Sequence, residues 1–301
     1  IKMFENVLFY TSKLSKEFGG IQRNFEEAKF VILGIPYDST STYRTGSRFA
    51  PSVIREASCN IETNGILSNN FLENVKFYDI GDLDVVGIEI KEALRRISVV
   101  IEELLAGNKI PICIGGEHTI TYGILRSIKS IDTLIIFDAH LDLREEYPFG
   151  IKYGHATVSR RIHEDFRIPK IIYIGSRAWS KEEISYLKKY ENFKLITSFE
   201  IINNLEDSIN KLKTFISDSK NAYLTIDVDV FDISQAPGVS NPEPFGIFYK
   251  EFIAMLKIIL DLKILGIDLV EVCPSYDNGV TSILASKILI ECLTYLSNKL
   301  Y

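Results

Sequence analysis

Asp138, His140 and Asp142 stand at alternate positions directly after the apolar run Thr133-Leu134-Ile135-Ile136-Phe137. A run of that length bounded by charge predicts a buried, parallel strand. If the extension continues past Phe137, side-chain alternation puts the three polar groups on one face. Two carboxylates and an imidazole converging at a strand end make a poor core and a good metal site. A surface Asp-rich turn with a capping His is the competing account, and two further segments weigh against it. His118 follows the run Ile110–Ile114 after Gly115-Gly116, glycines that let the backbone pass close to another group. Asp227 and Asp229 follow Ala222–Ile226, two apart and on one face, with Val228 pointing away. Three strand ends thus supply six candidate ligands: His118, Asp138, His140, Asp142, Asp227 and Asp229.

Charge matching points to two divalent cations. Four carboxylates balance two such ions, whereas one ion leaves excess negative charge crowded at a partly buried site. An oxygen-rich set with one imidazole per ion suits Mn²⁺ better than zinc, which favours tetrahedral nitrogen and sulfur ligands. A metal pair roughly 3.5 Å apart makes a shared water nucleophilic at neutral pH. That is hydrolysis chemistry.

The elements that must hold these residues alternate along the chain. Strand-like runs fall at 30–36, 75–80, 110–114, 133–137, 171–174, 194–196, 222–226 and 264–270. Helical stretches are expected at about 88–106, from 118 through 125–127, and at 180–190, 204–217, 249–262 and 281–298. The clearest is 88–106, where Ile90, Ala93, Leu94, Ile97, Val100, Ile101, Leu104 and Leu105 recur at three- and four-residue steps before Gly107. Residues 1–29 read as an irregular arm or short helix, and 37–51 as a Ser/Thr/Gly-rich loop carrying Arg44 and Arg48. Residues 58–74 read as irregular, and His163 as a helix-surface residue. The alternation predicts an α/β fold with a mostly parallel sheet covered by helices on both faces. One domain over 1–301 is expected, with ligands bound at the carboxyl ends of the strands.

Composition removes other classes. The chain has 301 residues and a net charge of −6, which asks for neither nucleic acid nor an anionic membrane surface. No uninterrupted apolar stretch reaches the roughly 18 residues of a membrane span. The amino terminus carries no secretory-signal pattern. Cys59, Cys113, Cys273 and Cys292 lack CxxC spacing and read as reduced core thiols of a cytoplasmic protein.

Gly115-Gly116-Glu117-His118, Asp138-Ala139-His140-Leu141-Asp142 and Asp227-Val228-Asp229-Val230-Phe231-Asp232 resemble the three metal-binding signatures of the ureohydrolase family, the arginases and agmatinases. Gly34–Asp38, Gly46–Pro51, Ala236-Pro237-Gly238 and Glu271-Val272-Cys273-Pro274 match family patterns in order, so the resemblance spans about 30–295. It implies the three-layer arginase-type fold and a binuclear Mn²⁺ centre. One ion would be held by His118, Asp138, Asp142 and Asp227, the other by His140, Asp138, Asp227 and Asp229, with Asp138 and Asp227 bridging. It further implies attack on a guanidinium carbon by a hydroxide bridging the metals, with Glu271 pairing the guanidinium, a planar and permanently cationic group. His155, in Tyr153-Gly154-His155-Ala156-Thr157, matches a family His that shuttles protons to the departing amine. A homo-oligomer, trimer or hexamer, is implied in the same way.

The chain departs from the family after Ala236-Pro237-Gly238. There Val239–Gly246 replaces Thr-Gly-Thr and a later Gly-Gly, and Phe245 takes the place of a Gly near the expected pocket mouth. Glu117 stands where many members carry Asp. The loop 143–155 is similar to the agmatinase version, Asp-Leu-Arg-x-Glu-Tyr. Glu145 and Glu146 are expected beside the pocket, repelling an α-carboxylate and attracting a distal ammonium. Such a clash costs several kcal/mol. Arg144 reads as structural or paired with an acidic neighbour. The expected reaction is therefore agmatine to putrescine and urea, a step of polyamine biosynthesis, with arginine a poor substrate. Phe245 leaves guanidinobutyrate open. A non-catalytic homologue kept as a binding or regulatory subunit is disfavoured by the presence of all six ligands. A two-metal phosphoesterase is disfavoured because residues 138–157 offer few phosphate contacts.

Overall fold

Strand β2 (Phe30–Ile35) shows why the molecule is layered. Its six residues are all buried, with Phe30 and Ile32 packing into one apolar cluster and Val31, Leu33 and Ile35 into another. A strand buried on both faces needs cover on both faces. The computed structural model describes residues 4–12, 16–21 and 23–299. The other strands are β1 (Thr11–Ser12), β3 (Asn64–Gly65), β4 (Asn70–Phe71), β5 (Phe77–Leu83), β6 (Ile110–Gly115), β7 (Thr133–Phe137), β8 (Lys170–Ser176), β9 (Phe193–Thr197), β10 (Asn221–Asp227) and β11 (Lys263–Val270). Nine of them form one sheet in the order β1-β5-β2-β6-β11-β10-β7-β8-β9. Every neighbouring pair is parallel except β1 with β5. β3 and β4 make a separate small hairpin.

The helices are α1 (Glu5–Tyr10), α2 (Ala50–Ser58), α3 (Ile90–Ala106), α4 (Ile120–Leu125), α5 (Val158–Phe166), α6 (Lys181–Leu187), α7 (Ser198–Asn203), α8 (Leu205–Ile216), α9 (Tyr249–Leu260) and α10 (Val280–Lys299). Apolar residues of α1, α3, α4, α5 and α6 pack on one face of the sheet. Those of α2, α7, α8, α9 and α10 pack on the other. Each fully buried Leu, Ile or Phe on these faces contributes roughly 1.5–3 kcal/mol relative to exposure. The three-layer α/β expectation holds. α10 is long and apolar enough to cross a membrane, but 72% of its apolar window is buried against the protein, so it is a core helix.

Differences from the sequence reading have local causes. α1 and β1 lie within the expected arm, part of which is outside the described residues. α7 and the β3–β4 hairpin have too few periodic positions to stand out. His163 is not a solvent-facing helix residue. It is half-buried, 2.8 Å from the Tyr186 hydroxyl at Nδ1 and packed against Tyr190 and Phe193. Cys113, Cys273 and Cys292 are buried and free, but Cys59 is exposed at the end of α2, where no apolar strand shelters it.

Candidate metal centre

Four adjacent strands in the middle of the sheet carry the site. Ile114 of β6 pairs with Leu269 of β11, Leu269 with Ile226 of β10, and Ile226 with Phe137 of β7. The residues just past this aligned row supply His118, Glu271, Asp227 and Asp138. Close passage of backbone fixes their height. Gly116 donates its N–H to Ile35 and accepts from the Glu271 N–H at 2.8 Å. A Cβ on Gly116 would lie 2.0 Å from the Tyr37 carbonyl oxygen, so no other residue fits there.

Strand alternation is not what aims the ligands, contrary to expectation. β7 ends at Phe137, and Asp142 adopts a left-handed φ of 50°. Asp229 lies in a 3₁₀ turn, Val228–Val230, not on an extended face. The carboxylates turn their own loops: Asp138 Oδ1 accepts the His140 N–H at 2.6 Å and Asp227 Oδ1 the Asp229 N–H at 2.9 Å. Left-handed conformations of non-glycine residues cost on the order of 1–3 kcal/mol and gather at functional sites. Glu271 is another, at φ 69°.

These turns bring the six expected ligands together. His118 Nδ1 lies 3.1 Å from Asp138 Oδ2, 3.2 Å from Asp142 Oδ2 and 3.5 Å from Asp227 Oδ2. His140 Nδ1 lies 2.9 Å from Asp229 Oδ2 and 3.5 Å from Asp138 Oδ1. All are buried except the half-buried His140. Despite these short separations, His118 Nδ1 and Asp138 Oδ2 are buried without an aligned hydrogen bond. Burial, then the charges of Asp229 and Asp138, push the Asp227 carboxyl well up. Burial and Asp138 raise Asp142 to about 7. Lone pairs crowded on a common point, with carboxylates that repel one another, fit a cation between them. His118, Asp138 and Asp142 form one such group, and Asp138, His140 and Asp229 the other.

Glu271 sits beside them, its Oε1 accepting the His118 N–H at 2.7 Å while Oε2 is buried and unpaired. Burial, reinforced by Asp229, raises it to about 7. His155 is buried, its Nε2 3.1 Å from Thr42 Oγ1 and its N–H donating to Thr40 Oγ1. Thr40 in turn donates to Glu117 at 2.5 Å. Burial lowers the His155 pKa.

His140, Asp142, His155, Asp227, Asp229 and Glu271 all face one cavity of about 440 Å³. Glu145 and Glu146 do not. Glu145 points outward to Arg160 at 3.3 Å, and Glu146 accepts the Gly150 N–H. The acidic wall comes instead from Glu183 and Glu243, which sequence reading missed. Glu183 had a signal: Ser180-Lys181-Glu182-Glu183 is a capping box. Glu183 is spent on it, accepting the Ser180 and Leu143 N–H groups. Glu243 Oε1 is 3.9 Å from His140 Nε2. Arg144 stacks over Tyr147 at 4.4 Å and approaches Glu183 at 3.8 Å. Arg177 also lines the cavity, but its guanidinium donates to backbone carbonyls of residues 175, 229–231, 243 and 244, clamping two loops together. Phe245 is half-exposed against Phe199 and outside the cavity lining. Its φ of 66° explains why a Gly suits this position.

The arginase family model matches residues 28–294. The agmatinase of Halalkalibacterium halodurans is 37% identical over 276 residues, 90% of this chain and 93% of that one. The N(1)-aminopropylagmatine ureohydrolase of Thermococcus kodakarensis is 32% identical, covering 88% and 89%. The crystal structure of agmatine ureohydrolase of Thermoplasma volcanium superposes with a TM-score of 0.85 at 34% identity, covering 96% of each chain. A match over that span, on a chain whose central strands converge buried imidazoles and carboxylates, places it in the arginase family, as a ureohydrolase acting on guanidino substrates.

Proposed function

We propose that this chain is an agmatinase, hydrolysing agmatine to putrescine and urea with two Mn²⁺. The observation that carries the choice of substrate is the distribution of charge in the cavity. Both arginines in its lining are committed, Arg177 to carbonyl oxygens and Arg144 to Tyr147 and Glu183. An α-carboxylate would find no spare cation there, whereas a distal ammonium would find Glu243. Agmatinase relatives at comparable identity support the same reading.

His118, Asp138, Asp142 and Asp227 would hold one ion and His140, Asp138, Asp227 and Asp229 the other. Such a pair supplies Lewis acidity and an activated water at neutral pH. Glu271 Oε2 accepts guanidinium N–H groups and holds the plane of the substrate against the cluster. The water oxygen would add to the central carbon, and the bond from that carbon to the alkyl nitrogen would break. His155, kept neutral by burial, would take up a water proton and deliver it to the departing nitrogen, and the second water proton follows as the urea carbonyl forms, so both end on the alkyl nitrogen. The products are urea and an alkylammonium. One domain over 1–301 belongs to the same reading, supported by the single sheet whose strand ends lead into the six candidate ligands and Glu271. A reducing, cytoplasmic setting suits its free thiols, and a homo-oligomer belongs to the same reading.

Side-by-side kcat/KM values for agmatine, arginine and guanidinobutyrate with added Mn²⁺ test it. Agmatine is expected to lead, and arginine equal to or better than agmatine would overturn the proposal.

A further inference from the structure

Asp268 is fully buried within β11 and outside the cavity lining. Its register partners are Thr225 on β10 and Cys113 on β6. A carboxylate in such a place is costly unless its oxygens are filled. Three hydroxyls fill them: Thr225 Oγ1 donates to Oδ1 at 2.5 Å, while Tyr223 OH and Thr121 Oγ1 donate to Oδ2 at 2.7 and 3.0 Å. Thr225 also touches His118, with Oγ1 3.0 Å from Nε2.

The proton count along this line is decisive. A threonine hydroxyl has one hydrogen, and an ionised carboxylate can only accept. With its hydrogen given to Asp268, Thr225 can only accept from His118, so Nε2 carries the imidazole proton. In the neutral imidazole that a metal ligand must be, Nδ1 is then the bare lone pair, and it is the atom directed at Asp138, Asp142 and Asp227. We infer that Asp268, acting through Thr225, is a positioning residue that sets the His118 tautomer and thereby tunes one of the two metal positions, leaving the other untouched. This rests on the metal reading above. Removing the carboxylate frees the Thr225 hydrogen to turn toward Nε2, which shifts the imidazole proton to Nδ1 and blocks ligation.

Mn²⁺ titration of the metal-free protein, followed by electron paramagnetic resonance and calorimetry, separates the possibilities. Wild type is expected to bind two Mn²⁺; failure to bind any would overturn the metal reading itself. In Thr225→Val and Asp268→Ala, one position should weaken by about 10- to 100-fold, the usual cost of losing the partner behind a ligating His. The other should hold within about 2-fold. The double variant should lose little more than either single, since both break one relay. Thr225→Ser keeps the hydroxyl and should retain both affinities. Tyr223→Phe removes a donor to Asp268 without touching Thr225, so it should lower Tm and leave Mn²⁺ binding unchanged. Two undiminished positions in Thr225→Val, equal weakening of both, or a Tyr223→Phe loss as large as that of Thr225→Val would each overturn the relay. Thr225→Val carries the test if Asp268→Ala does not fold.

Discussion

Two buried charge clusters lie in this sheet, and they differ in whether they complete themselves. Around Arg55, which is 1% exposed, Nε and Nη2 reach Asp79 at 2.7 and 2.9 Å, and Nη1 reaches Asp82 at 2.6 Å. The Phe18 and Gly81 N–H groups take the remaining lone pairs of Asp79. Around His118, carboxylates crowd one imidazole, and His118 Nδ1, Asp138 Oδ2 and Glu271 Oε2 have no aligned hydrogen bond among the described residues. The first cluster holds α2 to β5 and wants nothing more. The second leaves buried atoms open that a cation and a substrate guanidinium would fill.

The largest effect expected on breaking this contrast is at the second cluster. Asp227→Asn keeps the Oδ1 that accepts the Asp229 N–H but removes a charge facing both metal groups. Metal content and kcat should fall together, kcat by about 10⁴-fold, given the several kcal/mol a metal ion supplies. The metal-free variant should be no less stable than wild type, because a repelling carboxylate is gone. Metal analysis showing two Mn²⁺ in an active Asp227→Asn protein would refute this. Arg55→Met should behave oppositely. Stranding Asp79 and Asp82 costs about 3–5 kcal/mol of stability, seen as a lower urea midpoint, while Mn²⁺ affinity of the folded fraction stays at the wild-type value.

The same contrast decides what was legible in the sequence. The sheet was legible because strands buried on both faces are continuous apolar runs, and six candidate ligands at three run ends are hard to produce by accident. How the ligands converge was not. Asp142 and Asp229 owe their aim to a left-handed φ and a 3₁₀ turn, which no side-chain period encodes. Glu145 and Glu146 were legible as acidic but not as outward-facing. The residues that do line the wall come from the cap of α6 and from the loop before Gly246, far away in the chain. Asp268 was hidden inside an apolar run.

His155 and Glu243 sharpen the contrast between the proposed metal ligands and groups that only face them. His155→Asn should lower kcat by about 10²-fold, the usual contribution of a general acid–base group, with metal content unchanged. Loss of metal in that variant would make it a ligand. Glu243→Gln removes a partly exposed charge, worth roughly 1 kcal/mol in such a setting. KM for agmatine should therefore rise by about 5-fold with kcat little altered. Glu145→Gln and Glu146→Gln should leave both constants alone. A larger KM effect from Glu145 or Glu146 than from Glu243 would show that the acidic wall is misassigned.

The smallest effect separates two kinds of histidine, one buried and one half-buried. His118 faces carboxylates, whereas His163 sits among Tyr186, Tyr190 and Phe193 with one hydroxyl at Nδ1. Burial holds the His163 pKa below its usual value, with Glu164 opposing. The unfolded chain therefore binds a proton more readily than the folded one as pH falls through 6.5, the ordinary value for His. Stability from this group is present above that pH and lost below it. His163→Phe keeps the aromatic packing and removes the titration. Its urea midpoint should fall less than that of wild type between pH 7.5 and 5.5, with metal content and kcat untouched. Equal falls in the two proteins would place the acid sensitivity elsewhere, and a steeper fall in His163→Phe would reverse the sign assigned to this burial.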